Sequence, residues 1–201
     1  MKKWLQPREL TLLGLLTAVL LVMSFTPLGY LNIGPLAITL NMIPVALAAI
    51  ALGPVGGAIM GAVFGVTSFL QCLGIGGTSQ MGAILFEINP FLAFVQRFLP
   101  RLLTGLLTGL IYKGVKKLWG HTAAGFVAGF CAAFLNTALF MSALVLLFGN
   151  TEYLQGLIGG RNILLFICVF VGINAVFEML ASTAIVGLLS KALEKAKLIG
   201  R

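Results

Sequence analysis

Six apolar stretches, separated by little more than turn signals, dominate this sequence. They run about Glu9 to Thr26, Pro35 to Leu52, Val55 to Gln71, Phe91 to Tyr112, Thr122 to Phe148 and Ile163 to Leu193. At about 1.5 Å rise per residue, some 20 apolar residues cross a hydrocarbon layer about 30 Å thick. Lipid offers nothing to bond backbone N–H and C=O groups, so a stretch that enters it must satisfy them within itself, as helix. The chain is 60% hydrophobic and only 9% charged, where a soluble domain carries about 25% charge. The expected fold class is therefore all-α: an integral membrane bundle of six transmembrane helices, one domain over residues 1–201, with no room for a separate soluble domain. The second stretch is short and carries Asn41 and Pro44, Gly53-Pro54 turns tightly into the third, and the sixth is long enough for its end to project into water.

The orientation of such a bundle follows from Lys and Arg. With six spans both termini share a side. That side holds Lys2, Lys3, Arg8, Lys113, Lys116, Lys117, Lys191, Lys195, Lys197 and Arg201, ten of the thirteen basic residues. The other side holds Arg161. Both termini are expected in the cytoplasm, in a multi-pass protein of a prokaryotic cell membrane. The net charge of +8 is then a topology signal and calls for no nucleic-acid partner. The first apolar run follows basic residues, as a secretory signal would, but no convincing cleavage site precedes Pro27 and Gly29, so it is read as a retained first helix. The outer connections, Pro27 to Gly34, Cys72 to Pro90 and Gly149 to Asn162, are the long ones. They form either a lid or inert connectors.

Arg97 and Arg101 remain, inside the fourth stretch, and charge at that depth is costly and rare. Arg97, Arg101, Thr104 and Thr108 share one helix face, and Asn174, Glu178 and Ser182 share another. From the outer end, Arg97 would lie roughly 10 Å deep and Arg101 roughly 16 Å. Asn41, Thr67, Gln71, Asn89 and Asn136 add polar groups, most of them toward the outer half, which suggests a cavity open to the outside. Glu178 can neutralise one arginine. Burying the other is expensive unless an anion meets it. The alternative has Arg97 snorkelling to the outer headgroups while Arg101 pairs with Glu178. The expectation carried forward is that Glu178 pairs with the deeper Arg101. Arg97 then receives a ligand carboxylate, with Asn136 and Asn174 available to neutral polar groups.

Small residues recur every four positions at Gly57, Gly61 and Gly65, at Gly105 and Gly109, and at Gly125, Gly129 and Ala133, a spacing that lets helix backbones approach closely in lipid. On the first helix, Thr11, Gly14 and Ala18 form a similar stripe, which either packs inside the bundle or docks an external helix. Cys72, Cys131 and Cys168 have no partners at metal or redox spacing and read as apolar filler. The single histidine, His121, lies in a polar connector. No nucleophile elbow, HExxH, paired aspartates or P-loop is present. The chain is expected to be no enzyme, to bind no cofactor or metal directly, and to lack the ATPase needed for uphill transport.

The stretches "FTPLGYLNIGPLAITLNMIPVALAAIALGPVGGAIMGAVFGVTSFL", "RFLPRLLTGLL" and "NAVFEMLASTAIVGLLSKAL", with the spacing between them, resemble the substrate-binding S component of energy-coupling factor (ECF) vitamin transporters, most of all its pantothenate-type branch. The resemblance implies capture of a water-soluble vitamin near the outer face, under the first and third connecting loops. It implies a transmembrane coupling protein and two cytosolic ATPases, which use the ATP, and toppling of the S component to release the vitamin inside. The family's Ala-x-x-x-Ala coupling face falls on Gly14 and Ala18, with Gly in the first place. The family's pocket would draw on the Cys72–Pro90 loop and spans four to six, and pantothenate has a carboxylate to suit an arginine. The alternatives are an S component for folate, riboflavin, hydroxymethylpyrimidine or another precursor, and a membrane scaffold that transports nothing.

Overall fold

The computed structural model describes residues 7–26, 29–32, 37–77, 79–160, 162–196 and 199. Lys2, Lys3, Arg161, Lys197 and Arg201 of the charge pattern, and parts of the first outer connection, lie outside them. Helix α1 spans Pro7–Phe25. Strands β1, Tyr30–Asn32, and β2, Ala37–Thr39, form a two-stranded antiparallel hairpin, with Tyr30 opposite Thr39. Then come α2 (Met42–Leu70), a 3-10 turn (Gln71–Leu73), α3 (Gln80–Ile88), α4 (Pro90–Phe148), α5 (Glu152–Ile158) and α6 (Ile163–Lys195). Apart from the hairpin the described fold is helical.

Four of these helices are long and apolar enough to cross a membrane among the described residues. Two of the four are double. Gly53 in α2 has φ 77° and ψ −169°, and Gly120 in α4 has φ 78° and ψ 178°. A side chain rarely adopts such a φ, and glycine reaches it at no steric cost. Each glycine therefore breaks its helix into two arms. At Gly53 the following Pro54 adds a second cause, since proline cannot continue the preceding ladder. At Gly120 the Tyr112 hydroxyl and His121 Nδ1 lie 2.9 Å apart and brace the bend.

The arms fold back on one another, and glycine sets their spacing. A Cβ on Gly57 would lie 2.9 Å from the Gly105 carbonyl carbon, one on Gly61 3.1 Å from Leu102 Cα, and one on Gly65 2.8 Å from Phe98 Cα. The second arm of α2 thus runs antiparallel to the first arm of α4 in backbone contact. A Cβ on Gly129 would meet Thr183 Cα at 3.0 Å, and one on Gly125 the Ser190 side chain. Ser182 donates to the Gly129 carbonyl at 2.8 Å. Those contacts set α6 antiparallel to the second arm of α4. The stripe on α1 behaves differently. Gly14 has no atom within 4 Å of a would-be Cβ, and Gly14 and Ala18 are both exposed. The opposite face of α1, Leu16, Leu20 and Ser24, is the buried one.

Thr17 contacts Met60, and Ser24 contacts Thr67, so α1 runs parallel to the second arm of α2. One end of the bundle then collects the Gly53 and Gly120 bends, the start of α1 with Arg8, Lys113, Lys116 and Lys117, and the end of α6 with Lys191 and Lys195. The other collects the hairpin, the 3-10 turn, α3 and α5. The sequence expectations hold for these helices within a few residues, with three differences. The second apolar stretch does not start as helix at Pro35: α2 begins at Met42, and Ala37–Thr39 is strand. The connector Lys113–His121 continues α4 as helix up to Gly120. And the two longer outer connections contain the short helices α3 and α5.

Candidate functional site

At the end that carries the hairpin, the arms diverge around a cavity of about 870 Å³. A cavity of this size falls within the range of small-molecule sites. Arg97, Arg101, Gln71, Asn136, Asn174 and Glu178 all line it. Each is buried, Arg97 to 6% and Arg101 to 5% residual exposure. The i, i+4 spacing that put the arginines on one face of α4 is what aims both into one space.

Local chemistry explains how each is held. Pro100 lacks an N–H, so the Gln96 carbonyl one turn earlier loses its helical partner. Arg101 Nη1 reaches that carbonyl at 3.5 Å. Thr104 closes the turn from below, donating to the Pro100 carbonyl at 2.7 Å. The Arg101 guanidinium carbon lies 4.1 Å from the Phe140 ring centroid and 5.5 Å from that of Phe64. Arg97 donates from Nη2 to Ser79 Oγ at 3.1 Å, and its guanidinium carbon lies 5.2 Å from the same Phe140 ring.

Glu178 faces Arg101 electrostatically, and its carboxylate also accepts the backbone N–H of Thr39. One carboxylate thus ties the end of strand β2 to the cavity that the deeper arginine also lines. Ser79 has a comparable double role. Besides Arg97 it caps α3, accepting from Gly82 N at 3.2 Å. Gly76, at φ 76°, brings the same loop onto the Phe25 ring. Both loops therefore lie against the cavity, each tied to a charged residue in its wall. Gln71 ties the two helix ends beside them, donating to the Ser24 carbonyl at 2.8 Å. Asn136 is different: its Oδ1 is buried and has no hydrogen-bond partner among the described residues.

Three residues expected at the site stand outside the cavity wall. Asn89 caps α4, accepting from Leu92 N at 3.0 Å. Thr67 donates to the Phe64 carbonyl at 2.9 Å and touches Ser24. Asn41 begins α2, fully buried, without a side-chain cap bond. Sequence reasoning in turn missed several wall residues. Ser79 is an N-cap, a recognisable signal once α3 is suspected. Phe64, Phe140 and Tyr153, which also line the wall, give no such signal, because an aromatic on an apolar helix reads the same whether it faces lipid or a cavity.

A bundle of apolar helices that closes a polar, partly cationic cavity at one end has the architecture of a small-molecule site within a membrane domain. A family model for the ECF transporter substrate-specific component matches residues 8–190, and the chain belongs to that family. It is a substrate-binding subunit of a transporter and a membrane protein, not an enzyme. The chain is similar to a pantothenate transporter, PanT, of Leuconostoc mesenteroides subsp. mesenteroides, at 29% identity over 183 residues that cover 88% of this chain and 87% of that protein.

Proposed function

We propose that this chain captures a carboxylate-bearing vitamin, pantothenate, in the 870 Å³ cavity and delivers it across a prokaryotic cell membrane. The observation that carries the reading is the make-up of one wall: two buried guanidiniums, one carboxylate, and an amide oxygen on Asn136 with no donor among the described residues. Charges at the wall of a desolvated cavity are worth more than in water, and a guanidinium matches a carboxylate in two parallel bonds. The Asn136 oxygen asks for a donor, and pantothenate offers an amide N–H and hydroxyls. Similarity to a pantothenate transporter points to the same molecule.

In this reading the six helical rods cross the membrane six times, the basic end faces the cytoplasm, and the cavity faces outward. Thr39 of the hairpin, Gly76, Gly77 and Ser79 cover the bound vitamin. The exposed Gly14 and Ala18 dock a transmembrane coupling protein. Two cytosolic ATPases supply ATP hydrolysis to that assembly, and the subunit topples to release its load inside; no cofactor binds this chain. The test is calorimetry on the purified protein in detergent against pantothenate, its alcohol analogue, riboflavin and folate. Tight binding of pantothenate with at least tenfold weaker binding of the alcohol is expected. Equal affinity for acid and alcohol, or binding of another vitamin alone, would sink the reading.

A further inference from the structure

Both guanidinium groups of the cavity rest against one ring. The Phe140 centroid lies 5.2 Å from the Arg97 guanidinium carbon and 4.1 Å from that of Arg101. Sharing one ring keeps the two like charges close together, and buried charges are screened little by salt, so they repel. Phe140 sits on the second arm of α4, across the cavity wall from the arm that carries the arginines, and is itself part of the wall. An aromatic face carries negative electrostatic potential and attracts cations within about 6 Å of its centroid, most strongly where water is excluded. Arg101 also lies 5.5 Å from the Phe64 ring, and Phe140 is a ring that both arginines share.

We infer that Phe140 is a positioning and specificity-determining residue: its π system holds the guanidiniums of both Arg97 and Arg101 in the cavity wall so that the cavity discriminates a carboxylate from its neutral isostere. The inference rests on the carboxylate reading of the cavity. It assigns that discrimination to a residue which forms no ionic contact with the ligand. Arg97 also holds Ser79 and Arg101 the Gln96 carbonyl; without the ring these contacts would oppose the repulsion with less help, and part of the ordering cost would fall on the ligand, which lowers affinity. A neutral ligand draws little from the pair and would be nearly indifferent.

Two measurements on the full chain test this separately from the vitamin's identity. In the first, phenylglyoxal modification of Arg97 and Arg101 is followed by mass spectrometry without any vitamin. Phe140→Leu should speed modification at both arginines several-fold, while Phe140→Tyr, which keeps the π face, should match the native rate. In the second, calorimetry with pantothenate and its alcohol analogue should give an acid-to-alcohol affinity ratio that falls about tenfold, about 1.4 kcal/mol, in Phe140→Leu and stays near native in Phe140→Tyr. Phe140→Met carries the same expectation as leucine should the leucine variant fail to fold. Unchanged modification rates in the leucine or methionine variant would overturn the role of Phe140, as would equal loss of acid and alcohol binding. Failure of the native protein to bind pantothenate would instead overturn the vitamin reading, and the modification rates would still decide the role of the ring.

Discussion

Two faces of one helix pair are built in opposite ways. Toward the Gly53 bend, the second arm of α2 and the first arm of α4 touch backbone to backbone at Gly57–Gly105. Toward the hairpin they stay in contact at Gly65–Phe98, and beside that contact Phe64, Arg97 and Arg101 turn toward the second arm of α4 and α6 to line a cavity of about 870 Å³. Lipid tails are as apolar as leucine, so no hydrophobic force drives such helices together, and close van der Waals packing at small residues does the work instead. The glycine seam is therefore the close-packed part, and the cavity face beside it presents side chains rather than backbone. Residue 101 belongs to both regions: its carbonyl sits on Gly61 and its guanidinium lines the cavity.

The contrast can be broken from either end. The largest effect is expected from Arg101→Ala. It takes away positive charge that acts on the buried Glu178, and leaving a buried charge uncompensated costs up to about 3–5 kcal/mol. Thermal denaturation in detergent should show a clear loss of stability, with vitamin binding weakened as well. Arg97→Ala should separate the two properties. It lies farther along the helix toward the loops and holds Ser79, so binding should weaken by about 30-fold or more while the helices still melt near the native temperature. Calorimetry of the two variants side by side gives the comparison.

Gly61→Ala tests the seam. The added methyl would lie 2.9 Å from the Arg101 carbonyl carbon, which is backbone and cannot turn aside. Overpacking of this kind costs about 1–3 kcal/mol, read as a fall in melting temperature. Gly14→Leu should be nearly silent by the same measure, within about 0.5 kcal/mol, because nothing stands within 4 Å of the new Cβ. If a coupling protein docks there, transport in reconstituted vesicles should nevertheless stop while vitamin binding to the isolated chain persists.

Much of this contrast was legible in the sequence. Glycines at four-residue spacing predicted close helix approach, and the facing partners Gly57 and Gly105, Gly129 and Ser182 now give it geometry. Arg97 and Arg101 at i, i+4 predicted one polar face, and Asn174 and Glu178 joined it from α6. The hairpin was not legible. "YLNIGPLAITL" is a short apolar run, and periodicity alone cannot tell a buried strand from a helix start. Nor could spacing separate a polar residue in the cavity wall from one spent on structure. Asn89 is an N-cap, announced by Pro90 after it, and Thr67 bonds its own helix. The stripe at Gly14 and Ala18 left two readings open, and only the position of its neighbours, Leu16 and Leu20 in the core, turns it outward.

The seat of the Arg101 carbonyl on Gly61 has a consequence in the language of linkage. Any molecule that binds the folded chain alone deepens its stability by RT ln(1 + [L]/Kd), about 2.7 kcal/mol at a hundredfold excess over Kd. A defect at the seam and a gain at the cavity are drawn from the same folding equilibrium. A cell supplied with the vitamin would therefore retain seam variants that a starved cell degrades. Sequence change along the glycines would be tolerated in proportion to how full the binding site is kept.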